Sequence, residues 1–477
     1  MSDTRRLAHA FSDDALGELD AVALADAIKA RRLSRAEAVE AAIVRTKAVN
    51  PVLNGLACQA FDKARAKALE GGSDGEFFAG VPTFVKDCVD VAGLPTMSGT
   101  DAWVPSPAAA DSDCARLYLA TGLTSLGKTR LSELGLSGSA EHSRLGSVRN
   151  PWNTDYTAGG SSSGSGALVA AGAVPIAHGN DGGGSVRIPA SCNGLVGLKP
   201  SRGRLPLDDK PRLVPLLVLT NGVLTRSVRD TAAFYREAER LWRHPNLPPI
   251  GDVRHPGRER LRIAVVTRSD KRECSPEMRE LTLKSADLLD ELGHHVDYVE
   301  QLPVHSRFTA DFVLYWALLA TWQVKAVGQV FGDTFDRSRL NNLTLGLDRY
   351  ARRSRHRLPA AIMRLRATRR RTAKFFRSYD AVLTPTMADE TPHLGHLDNT
   401  ADAEQIIDRG VNWNAFAPLQ NVTGEPAISL PLAESASGMP AGMMLHADVG
   451  REARLLELAF ELEEARPWTR IQSRARA

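Results

Sequence analysis

Aromatic residues are scarce in this chain: Trp 7, Tyr 7 and Phe 14 make up 6% of 477 residues. The composition favours Gly-rich loops and tight helix packing over large aromatic platforms. Cysteine is also sparse. Cys58, Cys88, Cys114, Cys192 and Cys274 are odd in number and no two form Cys-x-x-Cys. This argues against a disulfide framework and a thiolate metal site, and for a reduced, cytoplasmic protein without a metal or other cofactor. The 12 histidines are scattered, with no His-Glu-x-x-His. Neither sign of charge dominates: 60 Lys and Arg against 56 Asp and Glu leave a formal +4, so global charge gives no reason to expect a nucleic-acid partner. Long apolar runs are missing too. Ala167–Ala177 is interrupted by Pro175 and is about half of the ~20 residues a membrane span needs. Met1–Ala10 carries charge, so no apolar leader is expected there.

A chain of this length can bury a large core unaided, and length alone allows up to about three domains. Ala21–Arg31 has helical apolar spacing, and Ser34 with Glu37 reads as a capping box opening a helix over Arg35–Val49. Val81–Val91 reads as one or two strands, Cys114–Thr121 as a helix and Leu123–Leu126 as a strand. Leu261–Val266, His295–Val299 and Tyr379–Thr384 read as strands, with a helix at Pro276–Leu292. A strand pair at Pro426–Leu432 and Met439–His446 precedes a helix at Glu452–Ala465. This alternation predicts an α/β fold. The softest joints are Pro245–Pro256 and Ala388–Asp402.

Glycine is where the composition becomes informative. Eleven of the 38 glycines fall between Ala158 and Pro200, in two loops flanking a small-residue helix at Gly166–Ala173 and a strand at Pro175–His178. Such loops allow close backbone approach and expose N–H groups, which suggests a site built from main chain.

Three short patterns imitate known signatures without their context. Gly122-Leu-Thr-Ser-Leu-Gly127-Lys128-Thr129 fits a phosphate loop, but a helix pattern precedes it and its interior is strand-like. Ser125-Leu-Gly-Lys128 fits Ser-x-x-Lys, yet this serine sits in a strand instead of opening a helix. Gly160-Ser161-Ser162-Ser163-Gly164 fits a nucleophile elbow, but Asn153–Ala158 is polar where a buried strand is required. Arg349–Arg377 holds eleven arginines and Lys374 on an amphipathic pattern. A solvated helix face is the favoured reading, with an anionic surface as the alternative.

Three polar residues stand in settings that suit chemistry. Lys86 follows the apolar run Val81–Val85, so its amine is expected in the interior, where burial lowers its pKa and makes it a usable base. Ser161 lies in Gly-Gly-Ser-Ser-Ser-Gly-Ser. Ser185 ends Asp181-Gly-Gly-Gly-Ser, whose glycines can turn successive N–H groups toward one point, as an oxyanion hole requires.

Gly80-Val-Pro-Thr-Phe-Val-Lys86-Asp87, Gly159-Gly-Ser-Ser-Ser-Gly-Ser165 and Gly179-Asn-Asp-Gly-Gly-Gly-Ser185-Val-Arg187-Ile-Pro189 together resemble the amidase signature family. So do Gly194-Leu-Val-Gly-Leu-Lys199-Pro200, Asn421-Val-Thr-Gly-Glu-Pro426 and Gly438-Met-Pro-Ala-Gly442. The likeness runs from about residue 20 to 470. It implies a single domain over 1–477 with a large mixed sheet and helices on both faces. The catalytic core would lie at about 70–235, with 255–470 adding strands and pocket walls. Ser185 would be the nucleophile, Ser161 a bridging serine after a cis peptide bond, and Lys86 the base. N–H groups of Gly182, Gly183, Gly184 and Ser185 would hold the oxyanion, braced by Asp181 and Arg187, with Ser162 and Ser163 as weaker supports.

The implied reaction is hydrolysis of C–N bonds in small or medium amides through an acyl-enzyme, with anilides, amide oligomers and carbamates (urethanes) included. The Asn-Asp-Gly-Gly-Gly-Ser version resembles that of bacterial 6-aminohexanoate-cyclic-dimer hydrolases. Alternatives are an amidotransferase subunit of a larger complex and a membrane-surface lipid amide hydrolase. No membrane or nucleic-acid partner is expected, and the chain is expected as monomer or homodimer. Pocket walls are expected from Arg204–Leu219, Phe312–Trp322 and Asn412–Phe416, with Phe312, Tyr315, Trp316 and Trp413 as apolar linings or core.

Overall fold

The computed structural model describes residues 7–70, 75–207, 214–270 and 272–475. Eleven strands form one sheet. In chain order they are β1 (Leu56–Gln59), β2 (Pro82–Lys86), β3 (Thr124–Thr129), β4 (Ile176–Asp181), β5 (Val196–Lys199), β6 (Thr220–Thr225), β7 (Arg262–Val265), β8 (His295–Tyr298), β9 (Ala381–Pro385), β10 (Ala427–Glu434) and β11 (Pro440–His446). Their order across the sheet is β1-β3-β2-β4-β6-β5-β10-β11-β9-β7-β8. β2 pairs in parallel with β3 and β4, and β7 with β8 and β9. The remaining pairs are antiparallel, so the sheet is mixed.

Strand alternation sends successive side chains to opposite faces, and β4 makes this concrete. His178 meets Tyr118, which in turn meets Phe234 of helix Val228–Leu241. The neighbouring Gly179 lies under Val186 and Ser162 on the other side. Helices therefore cover both faces and the sheet centre is buried on each, which accounts for the unbroken burial of β2 and β9.

Several local features follow directly from sequence. Ser34 Oγ accepts from Glu37 N–H, and Glu37 returns a bond to Ser34 N–H at 2.8 Å, closing the capping box. That helix, α1 (Arg35–Leu53), runs past Val49 because Pro51 is accommodated in its last turn before Asn54 takes a left-handed conformation. The small-residue helix α2 begins at Ser163 and ends at Ala170, earlier than its apolar pattern suggests. Gly164 is the reason it packs so closely: a Cβ there would lie 2.1 Å from the Gly55 carbonyl oxygen.

β3 extends through Gly127 and Lys128 to Thr129, so the phosphate-loop imitation is a strand. Lys128 is fully buried and pairs with Asp87 at 2.7 Å, leaving it no phosphate to meet. The Arg-rich stretch forms the end of helix Asn342–Arg353 and all of helix Leu358–Phe375. Part of its charge is committed internally, with Arg364 on Asp311 at 2.7 Å and Arg369 on Asp448 at 2.8 Å. Ala388–Asp402 is not a linker, since Asn399 donates to the Glu141 carbonyl and Leu397 is buried. Among the described residues, no helix is long and apolar enough to cross a membrane.

Candidate active site

β2 delivers Lys86 to the sheet face covered by α2, the same face reached by Phe84, two residues earlier. Lys86 is 1% exposed, and its Nζ lies 2.7 Å from Ser161 Oγ and 3.2 Å from the Asn180 carbonyl oxygen. Burial pushes the lysine pKa down from its ordinary value, against weaker upward pulls from Cys88 and Asp181. The Gly160–Ser161 peptide bond is cis. Ser162 then ties this loop to the second one: its N–H and its hydroxyl both donate to the Ser185 carbonyl, at 3.3 and 2.5 Å. Ser163 instead donates to the Gly159 carbonyl within its own turn. The structure thus sets Ser161 beside the Ser185 loop and commits Ser162 to a bracing bond.

Asp181 and Arg187 form the frame of that loop. Both are fully buried, with Arg187 Nη2 at 2.9 Å and Nε at 3.0 Å from the Asp181 carboxylate. Arg187 also donates to Gln420 and Asn421, at 2.8 and 2.7 Å. The same carboxylate accepts Gly184 N–H at 2.8 Å, Val186 N–H at 3.0 Å and Asn421 Nδ2 at 2.9 Å. Burial alone would raise this carboxyl, but the Arg187 charge and bonds, aided by Lys199 and Asn421, hold it well below the ordinary carboxylate range. Lys199 is pushed down to about 7, first by burial and then by the Arg187 charge.

Gly184 N–H is committed to Asp181 and is therefore not available to a bound oxyanion, as the sequence had suggested it could be. Gly184 contributes its conformation, with φ at +121°, which favours glycine. A Cβ on Gly182 would meet Leu219 at 2.6 Å and Trp316 at 3.2 Å, so a side chain there would collide with both.

The loop borders a cavity that opens to solvent. Ser185 lines it, together with Phe312, Trp316, Leu343, Ile406 and Trp413. Lys86 and Ser161 are buried and do not line it. Among the described residues, no charged side chain lines the cavity.

The expected walls are corrected in part. Phe312–Trp322 and Asn412–Phe416 do contribute, through Phe312, Val313, Trp316, Trp413, Asn414 and Ala415. No described residue of Arg204–Leu219 lines the cavity, and positions 208–213 lie outside the described residues. Leu219 lies against Gly182 without lining the cavity, and Arg204 is spent on Glu452 at 2.9 Å. Tyr315 is core: it is fully buried and its hydroxyl donates to the Leu216 carbonyl.

Gly135–Gly138, Phe308, Leu343 and Leu347 line the cavity without having been expected, since apolar residues from distant segments carry no sequence signal of meeting. Asn414 was covered only as part of a segment, and its contact with Gly183 has no sequence signal either. Gln420 and Asn421 could have been found, because Asn421 opens one of the recurring motifs. Among the described residues, no group of three or more His, Cys, Asp or Glu could hold a metal ion.

Comparison with known proteins agrees with this architecture. The Amidase family model matches residues 37–456. The AmiC protein of Mycobacterium leprae is 70% identical over 464 residues, covering 97% of this chain and 98% of that protein. The 6-aminohexanoate-cyclic-dimer hydrolase of Paenarthrobacter ureafaciens is 34% identical over 477 aligned positions, covering 94% of this chain and 95% of that one. A solved structure of 6-aminohexanoate cyclic dimer hydrolase complexed with substrate superimposes with a TM-score of 0.85 at 31% identity, covering 94% of this chain and 97% of that one. A bacterial aryl acylamidase structure gives 0.83 at 27% identity, covering 95% and 98%.

Proposed function

The chain belongs to the amidase family and is an amide hydrolase, and from that premise we propose that it works through Ser185, Ser161 and Lys86. The observation that carries the reading is positional. Ser185 lines an uncharged cavity, Lys86 Nζ stands 2.7 Å from Ser161 Oγ in the interior, and Ser162, the next residue, is bonded to the Ser185 carbonyl. A lysine with a lowered pKa is available as the neutral amine.

In the proposed cycle Lys86 takes the Ser161 proton as Ser161 takes that of Ser185, and Ser185 Oγ attacks the amide carbonyl. The N–H groups of Gly182, Gly183 and Ser185 hold the oxyanion, in a loop kept rigid by Asp181 and Arg187. Ser161 then passes a proton to the leaving nitrogen, which an amide requires because its anion is a very poor leaving group. Water repeats the sequence on the acyl-enzyme and releases the acid. Residues of about 70–235 would form the catalytic core and those of 255–470 most of the pocket wall.

The apolar, uncharged lining favours neutral amides of small to medium size. Aryl amides fit that chemistry, as do amide oligomers with no charge near the scissile bond. Carbamates would pass through the same acyl-enzyme step. Hydrolysis of a panel of aryl amides, fatty amides, nylon-type oligomers and urethanes by the isolated chain tests the reading. Turnover of at least one neutral amide, lost in Ser185→Ala, is expected. Activity only in the presence of further protein subunits would favour an amidotransferase role instead.

A further inference from the structure

One turn touches both the cavity and the Ser161 loop. Gly135, Leu136, Ser137 and Gly138 line the cavity. On the other side, Ser132 N–H donates to the Ser161 carbonyl at 3.3 Å. A Cβ on Gly135 would lie 3.5 Å from Ser161 Oγ, and one on Gly160 would lie 2.9 Å from the Ser137 carbonyl oxygen. The Leu136 carbonyl also accepts the indole N–H of Trp316, another lining residue, at 3.1 Å.

A buried carboxylate holds this turn. Glu133 is 4% exposed, and its Oε2 accepts the Thr100 hydroxyl at 2.9 Å. The next residue, Leu134, donates its N–H to the Ser98 carbonyl at 2.8 Å, so residues 98–100 strap the turn at two adjacent positions. Leu134 takes a φ of +50°, which a residue with a side chain holds only where its surroundings enforce it. Glu133 Oε1 reaches the other way. It accepts the Asn341 N–H at 2.8 Å and the Thr344 hydroxyl at 2.7 Å, at the N-terminus of helix Asn342–Arg353, where negative charge is favoured. Asn341 stands at the N-cap and its own side chain makes no capping bond. This helix brings Leu343 and Leu347 to the cavity. His142 Nε2 lies 3.6 Å from Glu133 Oε2 and makes no hydrogen bond to it.

We propose that Glu133 is a positioning residue for the reaction: its carboxylate fixes the Leu343 and Leu347 wall to the turn bonded to Ser161, and so sets the substrate against the proton relay. This rests on the reading in which Ser185, Ser161 and Lys86 carry the cycle, and deepens it. Glu133 acts through its neighbours and does not line the cavity. A reacting group misplaced by about 1 Å loses on the order of 10²-fold in rate, so one residue that holds both sides of the site has a large effect on turnover. Its loss is distinguishable from a simple loss of fold. Unfolding lowers the number of working molecules, whereas a displaced wall changes which substrates each working molecule prefers.

The test is Glu133→Gln in the full chain, which keeps the shape of the side chain and removes its charge. Active sites are counted by fluorophosphonate titration, so that kcat refers to folded molecules alone. Acetanilide is compared with larger anilides, lengthened on the acyl side in one series and on the ring side in the other. In Glu133→Gln, kcat per titrated site should fall by about tenfold. The kcat/KM of at least one lengthened anilide, relative to acetanilide, should fall by more than about twofold, with the larger part of that change in KM. If Glu133→Gln does not fold, Thr344→Val removes one donor and leaves the carboxylate, and the same fall in the size preference is expected. A size preference within about twofold of the parent overturns the assignment, as does a kcat per titrated site within about twofold in Glu133→Gln. Full anilide hydrolysis by Ser185→Ala would instead overturn the nucleophile assignment, so the two failures are distinguishable.

Discussion

Arg187→Met removes the cation from a pair in which both side chains are fully buried. Methionine fills much of the same space, so the change is chiefly electrostatic. Asp181 is left with the Gly184 and Val186 N–H groups and Asn421 Nδ2, none of which carries charge. Leaving one partner of a buried ion pair uncompensated costs about 3–5 kcal/mol. The surviving hydrogen bonds, which also include the position-187 backbone N–H at 3.5 Å, argue for the lower end. So does Lys199, whose pKa is pushed down to about 7 by burial and then by Arg187, and which can take up a proton once Arg187 is gone.

About 3 kcal/mol of destabilisation, a factor of roughly 10² in the folding equilibrium, is expected in urea unfolding at neutral pH. Asp181→Asn combined with Arg187→Met removes both charges, so the double variant should be less destabilised than the sum of the two single changes. Activity should fall further than stability alone explains, because Asp181 fixes the Gly184 N–H and with it the direction of the neighbouring donors. Loss of one oxyanion donor costs on the order of 10²-fold in kcat, and a loosened loop should approach that. An Arg187→Met protein within about 1 kcal/mol of the parent, with unaltered kcat, would refute the view that this pair frames the loop.

Two pH dependences can be read from buried groups. In the proposed cycle Lys86 must lose its proton to act, and burial sets its pKa below the ordinary 10.5, so the acid limb of the kcat/KM profile should lie below that value. Lys86→Ala should lose activity at neutral pH by orders of magnitude, and a parent profile still rising steadily beyond pH 10.5 would contradict the assignment. His178 is held down to about 3, first by burial and then by the nearby Lys86 charge, against 6.5 when unfolded. The folded state therefore favours the neutral ring. Its stabilising contribution is present above pH 6.5 and is lost as pH falls from 6.5 toward about 3. At 1.36 kcal/mol per pH unit the ceiling is about 5 kcal/mol. Unfolding free energies measured across that window should slope less in His178→Asn than in the parent, and equal slopes would refute the effect.

Much of the fold was legible because it obeys local rules. Apolar runs bounded by glycine became β2 and β4, and Ser34 with Glu37 closed a capping box. Boundaries shifted where packing outweighed pattern. Pro51 was absorbed into a helix end, and β3 carried Lys128 into the core because Asp87 waits there. The contact of Lys86 with Ser161, and of the Ser162 loop with Ser185, join motifs that are short and ordered along the chain. The cavity was less legible, since Gly135–Gly138, Phe308 and Leu343 meet only through the tertiary arrangement. Asn414 illustrates the limit: an asparagine after a helix reads as a cap, and its contact with Gly183, 231 residues away, has no local signature.

The most direct test of the central claim is mass spectrometry of the protein after reaction with a fluorophosphonate or a slowly deacylating carbamate. The account predicts a single covalent adduct located on Ser185, with labelling abolished in Ser185→Ala and strongly slowed in Lys86→Ala. An adduct on Ser161 or Ser162, or labelling that persists in Ser185→Ala, would contradict it.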